Sequence, residues 1–174
     1  MVNNMEVFHK ELNFETKGNK ATYFEIREEC NEFIKECGVK DGLIVIQSPH
    51  TTCAVFFEEM VHDYDAMGDE FLQRDLNNGL SKIFPKQVEY DGYYSYPGPE
   101  HRKFSYEIGG AMKDNPACLL NGDAHLKASL IGSDKTFIIK DGKMLIGRFG
   151  YIYFVDFDGN RSRKRKCNLC IIGK

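Results

Sequence analysis

The sequence has no tryptophan, only five prolines and no excess of positive charge. Long apolar runs are also missing. The longest, such as Cys53–Phe57 and Tyr151–Val155, are five residues, against the roughly 20 that a membrane helix needs. No charged start followed by an apolar stretch opens the chain, so a secretory signal is not expected and a cytoplasmic location is. The 23 basic and 26 acidic side chains leave a net charge of −3. That balance argues against wholesale nucleic-acid binding, which needs a basic surface. The 174 residues suit one domain, and a 42% hydrophobic fraction is enough to build a core. Six cysteines in such a chain read as buried thiols, not as a disulfide framework.

Hydrophobic spacing predicts an α+β chain with mainly antiparallel pairing, two main helices and an irregular segment at about 86–120. Glu6–Phe14 alternates like a strand, and Thr16–Lys20 reads as a turn. Thr22 and Glu25 then form a capping-box pattern, followed by Ile26, Cys30, Phe33, Ile34 and Cys37 on one helical face. Gly38 supplies the stop. Leu43–Gln47 and Thr51–Glu59 read as strands joined through Ser48-Pro49. A second helix is expected over about 63–84, with Phe71, Leu72, Leu76, Leu80 and Ile83 as its apolar stripe and Pro85 at its end. Pro97-Gly98-Pro99 argues against a regular helix in the irregular segment. Asp123–Leu130 reads as a short helix. Lys135–Lys140 and Lys143–Phe149 form a hairpin across Asp141-Gly142. Tyr151–Phe157 and Arg161–Ile172 are expected to pair across Asp158-Gly159-Asn160.

Chemistry concentrates in a few places. His9 and His62 sit in polar surroundings and are expected to face solvent. His50, His101 and His125 lie at element ends, where scaffolds hold reactive groups. Together they could bind a divalent metal with one open position, act as acid–base groups, or contact an anion. Glu58 and Glu59 close an apolar strand, so one turns inward; Glu59 is the preferred candidate, and Asp75 borders a helix stripe. Arg161, Arg163 and Arg165 in the run Arg161–Lys166 would share one face of a strand. They read either as a charged edge strand or as a site for phosphate or pyrophosphate. Cys167 and Cys170, three apart on a strand, point to opposite faces and read as structural.

The order of these motifs resembles the YjbQ-like family. His50-Thr51-Thr52-Cys53-Ala54-Val55 with Glu59 is similar to its HTTxAxxxxE hallmark. Asp75 matches an acidic residue of the following helix, and Ala124–Gly132 resembles its AHxKASxxG segment. Leu145-Ile146-Gly147, Tyr151-Ile152-Tyr153, Asp156–Gly159 and Arg161 follow the pattern of its last strands. Members are often labelled secondary thiamine-phosphate synthases, the activity expected here, with a metal-dependent hydrolase or a trimeric anion- or ligand-binding protein without turnover as the alternatives. The resemblance implies a barrel-like sheet, a homotrimer and a pocket lined by His50, Glu59, Asp75, His125 and Arg161. That activity takes a phosphorylated small-molecule ligand and needs cations beside a leaving pyrophosphate, which Lys127 and Arg161 would supply. The resemblance also implies a divalent ion, zinc or magnesium, at His50, His125 and His101. Three departures stand out: Glu58 replaces the family's asparagine, Phe149-Gly150 replaces Trp-Gln, and the middle segment at about 86–120 is expanded.

Overall fold

The computed structural model describes residues 4–109 and 111–174. The chain runs β1 (Glu6–Glu15), β2 (Thr22–Glu25), α1 (Arg27–Cys37), β3 (Gly42–Gln47), β4 (Cys53–Glu59) and α2 (Phe71–Ile83). It continues α3 (Pro99–Ile108), α4 (Ala111–Asp114), a 3-10 turn (Pro116–Leu119), α5 (Gly122–Ile131), β5 (Asp134–Lys140), β6 (Lys143–Met144), β7 (Gly150–Asp156) and β8 (Lys164–Gly173). This is the expected α+β class, and every strand pairing within the sheets is antiparallel. No described helix is long and apolar enough to cross a membrane.

The strands divide between two sheets, ordered β1-β8-β3-β5-β6 and β2-β7-β4. The larger sheet buries one face. Along β8, Arg165, Cys167, Leu169 and Ile171 are buried, while the alternate residues stay more open, as a half-buried strand requires. That inner face packs with Cys30, Phe33 and Ile34 of α1 against Val55, Ile152 and Phe154 of the smaller sheet. The smaller sheet buries its other face too, where Phe56, Tyr153 and Val155 meet Leu80 of α2 and Ala124 and Ala128 of α5. Burial on both faces explains why Cys53–Phe57 and Tyr151–Val155 are continuous apolar runs without alternation.

Four expectations are corrected. Thr22 and Glu25 form no capping box, because both lie on β2, paired with β7; α1 begins only at Arg27, whose backbone N–H donates to Glu25 Oε1. The pull of sheet pairing on four residues outweighs the local capping pattern. The second helix starts at Phe71 instead of near residue 63, and of its stripe only Leu80 is buried while Phe71, Leu72 and Ile83 stay exposed. Pro99 opens α3 instead of forbidding it, since a proline at the first helical position costs no hydrogen bond. Finally, β7 and β8 are no hairpin: β8 pairs with β1 and β3, so it is interior, and its charges do not protect an edge.

The turn over residues 16–20 packs against the loop that leaves β7. Gly18 has φ +76°, and a Cβ there would lie 2.1 Å from the Ser162 nitrogen; one on Gly159 would lie 2.9 Å from the Lys20 backbone. Only glycine satisfies both the left-handed backbone and the close approach at position 18. Gly18→Ala is expected to lower stability by at least about 1–2 kcal/mol from backbone strain alone. The urea unfolding midpoint measures it, and an unchanged midpoint would contradict the packing described.

Candidate functional site

The corrected position of β8 gives its arginines an inward role. Arg165 is the first buried residue of the strand, and Arg161 and Arg163 precede it in the loop. All three line one cavity of about 310 Å³ with His50, Thr52, Asn121 and His125. Tyr96, Cys118 and Leu119 close another part of its wall, so the 86–120 segment forms part of the cavity instead of hanging free.

Two carboxylates hold the arginines in place. Asp156 ends β7, and Asp158 follows two residues later; both side chains are fully buried. Arg165 Nε donates to Asp156 Oδ2 at 2.7 Å, and Thr52 Oγ1 donates to Oδ1 of the same carboxylate at 2.7 Å. The Asp158 backbone N–H also donates to Asp156 Oδ1, at 3.0 Å. Asp158 Oδ2 pairs with Arg163 Nη2 and accepts from Asn121 Nδ2 at 2.8 Å. Buried carboxylates need partners of this kind to remain charged. Three guanidinium groups thus face two carboxylates. Arg161 joins no ion pair among the described residues, which leaves the cavity one positive charge in surplus. Among the described residues, the buried Arg161 Nε and Arg163 Nε have no acceptor.

Burial favours the neutral form of both histidines of the cavity. Burial is the main cause lowering the His50 pKa, followed by the Arg165 charge, with Asp156 opposing. Burial also lowers that of His125, opposed chiefly by a hydrogen bond to the Thr51 backbone. His50 Nε2 accepts from the Lys166 backbone N–H at 3.0 Å. A neutral ring that accepts at Nε2 carries its proton at Nδ1, so His50 offers a donor.

The other sequence candidates lie elsewhere. Glu59 is exposed at the far end of β4, roughly 20 Å along the strand from Cys53 at ~3.3 Å per residue. The inward member of that pair is Glu58, whose carboxyl is raised to about 7 by burial and by Glu70. Asp75 is exposed and pairs with Arg74 at 3.1 Å. Lys127 is buried, but it lines a neighbouring cavity of about 180 Å³. Its Nζ donates to Ser81 Oγ at 3.0 Å and Asn77 Oδ1 at 3.3 Å, and it lies 3.5 Å from Asp123. His101 stands behind Tyr96, its Nε2 3.5 Å from the Tyr96 hydroxyl, while His125 meets the same ring edge-on. Among the described residues, no three His, Cys, Asp or Glu side chains converge to hold a metal ion. His50, His101 and His125 are therefore not gathered as three ligands within one chain. His9 and His62 are exposed.

Thr52, Asn121, Asp156, Asp158 and Tyr96 were not singled out by the sequence as site residues. A signal was present: alternating aspartates at the end of an apolar strand, then alternating arginines three residues on.

Comparison with known proteins places the chain. A family model described as "UPF0047 protein YjbQ-like" matches residues 10–174. A UPF0047 protein of Methanocaldococcus jannaschii is 35% identical over 131 residues, covering 75% of this chain and 72% of that protein. YugU of Bacillus subtilis, also a UPF0047 protein, is 26% identical over 149 residues, covering 86% and 88%. Among solved structures, a YjbQ/UPF0047 protein of Clostridium acetobutylicum superposes with a TM-score of 0.65 at 30% identity, covering 93% of this chain and 98% of that one. A protein of unknown function from Sulfolobus solfataricus superposes with a TM-score of 0.72 at 20% identity, covering 98% and 100%; at that identity the likeness shows the fold alone.

Two outcomes test the site's construction. Asp156→Ala leaves Arg165 buried without its carboxylate and is expected to cost about 3–5 kcal/mol, whereas Asp75→Ala should stay within about 0.5 kcal/mol; urea unfolding of both variants checks this. Because the folded pKa values of His50 and His125 lie below their unfolded values, their contribution is complete above about pH 6.5 and is lost as pH falls below it. His50→Asn combined with His125→Asn should therefore give a flatter stability profile on the acid side than wild type. Superimposable profiles would show that neither ring is held neutral.

Proposed function

The chain belongs to the YjbQ-like UPF0047 family, and from that premise we propose that its arginine-lined cavity takes the phosphoryl or pyrophosphoryl group of a small molecule and stabilises pyrophosphate as a leaving group. One observation carries the reading: the cavity holds one more guanidinium than its carboxylates neutralise, and two of its Nε–H donors have no protein acceptor. Guanidinium donors preorganised where negative charge develops are a large source of rate enhancement, and their planar forks match phosphate oxygens. Neutral His50 adds an N–H donor without a competing charge.

The reaction that fits is the thiamine-phosphate synthase type. The ring nitrogen of a thiazole phosphate attacks the methylene carbon of a pyrimidine-methyl pyrophosphate. A C–N bond forms, the C–O bond breaks, and the electron pair leaves on pyrophosphate, beside Arg161 and Arg163. Glu59, Asp75 and Lys127 do not line this cavity within one chain, so the reading assigns them no role. Assembly into a homotrimer belongs to the same reading, and the exposed Phe71, Leu72 and Ile83 of α2 give it an apolar surface to use.

Pyrophosphate release from the pyrimidine substrate, followed with and without thiazole phosphate, tests the proposal. Release only with both substrates supports the transferase. Release from the pyrimidine alone means that water is the nucleophile and the protein a hydrolase. Pyrophosphate binding without any turnover makes the site a ligand-binding one. Arg161→Ala should weaken pyrophosphate binding about 10- to 100-fold by calorimetry, the worth of a hydrogen bond to a charged group; unchanged binding would remove the arginine from the site.

A further inference from the structure

Among the described residues three buried side-chain atoms have no hydrogen-bond partner: Arg161 Nε, Arg163 Nε and Asn121 Oδ1. Their residues are separated by up to 42 positions in the chain, yet all three line the same cavity. Two of the atoms are donors and suit any oxyanion. The third is an acceptor, and it asks for something more specific.

The orientation of the Asn121 amide is not free. Its Nδ2 donates to Asp158 Oδ2 at 2.8 Å, and a flipped amide would set two acceptors against each other. Oδ1 is therefore the unpartnered atom. Its ordinary employment would be capping, since Asn121 sits at the N-cap of α5, but the side chain makes no cap bond. A buried acceptor left without a donor costs about 1–3 kcal/mol. A fully deprotonated oxyanion brought beside it would meet lone pair with lone pair. His50 cannot relieve that conflict at Nε2, which the Lys166 N–H already occupies.

We infer that the cavity selects an oxyanion that carries a proton: hydrogen phosphate or the singly charged form of a phosphomonoester. Arg161 and Arg163 take its charged oxygens, and Asn121 Oδ1 accepts from its hydroxyl. The three atoms are covered by their neighbours, so the ligand reaches them through a small local shift that keeps the Asn121–Asp158 bond. The inference rests on the phosphoanion reading of the cavity and adds a requirement to it.

Calorimetric titration of the full chain near neutral pH with inorganic phosphate, arsenate and sulfate separates the two. Phosphate and arsenate keep a proton there and sulfate keeps none, although the charge of sulfate is at least as large. Phosphate and arsenate are expected to bind about 10-fold more tightly than sulfate or better, the worth of one satisfied acceptor. Asn121→Ala should bring the three anions together, and Arg161→Ala should weaken all three while keeping their order. Equal binding of sulfate by wild type overturns the selection and leaves the phosphoanion reading standing. Selection retained by Asn121→Ala overturns the role of Asn121. Binding of none of the three overturns both readings. If Asn121→Ala does not fold, the wild-type ranking decides.

Discussion

Everything at the site depends on two carboxylates taken fully out of water. Asp156 and Asp158 each accept from a guanidinium and from at least one neutral donor: Thr52 for the first, Asn121 for the second. Removing either partner of such a pair exposes the other to the full cost of a buried charge. The pairs therefore tie the end of β7, the start of β8, the start of β4 and the start of α5 to one point. The third arginine, left over from this neutralisation, makes the cavity cationic inside a chain whose net charge is −3. A local field of this kind is invisible to whole-chain bookkeeping.

The sheets make such an arrangement affordable in space. The smaller sheet is apolar on both faces, so β7 is fixed between two cores and its last residues cannot drift. The larger sheet places β8 between β1 and β3, which directs Arg165 inward in register with Cys167, Leu169 and Ile171. The cavity sits where these two rigid strands converge, and the 86–120 segment supplies Tyr96 as part of its wall.

Much of this was legible in the sequence. The α1 face, the Gly38 stop, β1, β3, β5 and α5 all followed from periodicity and turn chemistry, because local preference and global packing agree there. The misplaced elements were those where tertiary pairing competes with a local signal. Thr22–Glu25 has the pattern of a helix start but is claimed by β7. The Asp158-Gly159-Asn160 turn suggests a hairpin but instead carries the chain from one sheet to the other. His50, His125 and Arg161 were named from the sequence, and the structure brings them to one cavity. Glu59, Asp75 and Lys127 were named as well, and they lie apart from it, since strand position and helix facing depend on contacts that one sequence does not display. Asp156 and Asp158 were quoted only as family pattern; their work is to hold other side chains, and such partners have no spacing signature of their own.

The pairing of β1 with β8, from Glu6↔Gly173 to Glu15↔Lys164, has a consequence for biosynthesis. Strand β1 waits, unpaired along that edge, until β8 has been made. The cavity draws on residues from Pro49 to Arg165, so no nascent fragment that stops short of β8 contains a working version of it. Pairings of such long sequence separation form late and slowly. Until β8 has been made, a translating ribosome thus carries a chain that has neither its site nor its complete larger sheet, and during that interval the exposed strand edges are the part most in need of protection from neighbours.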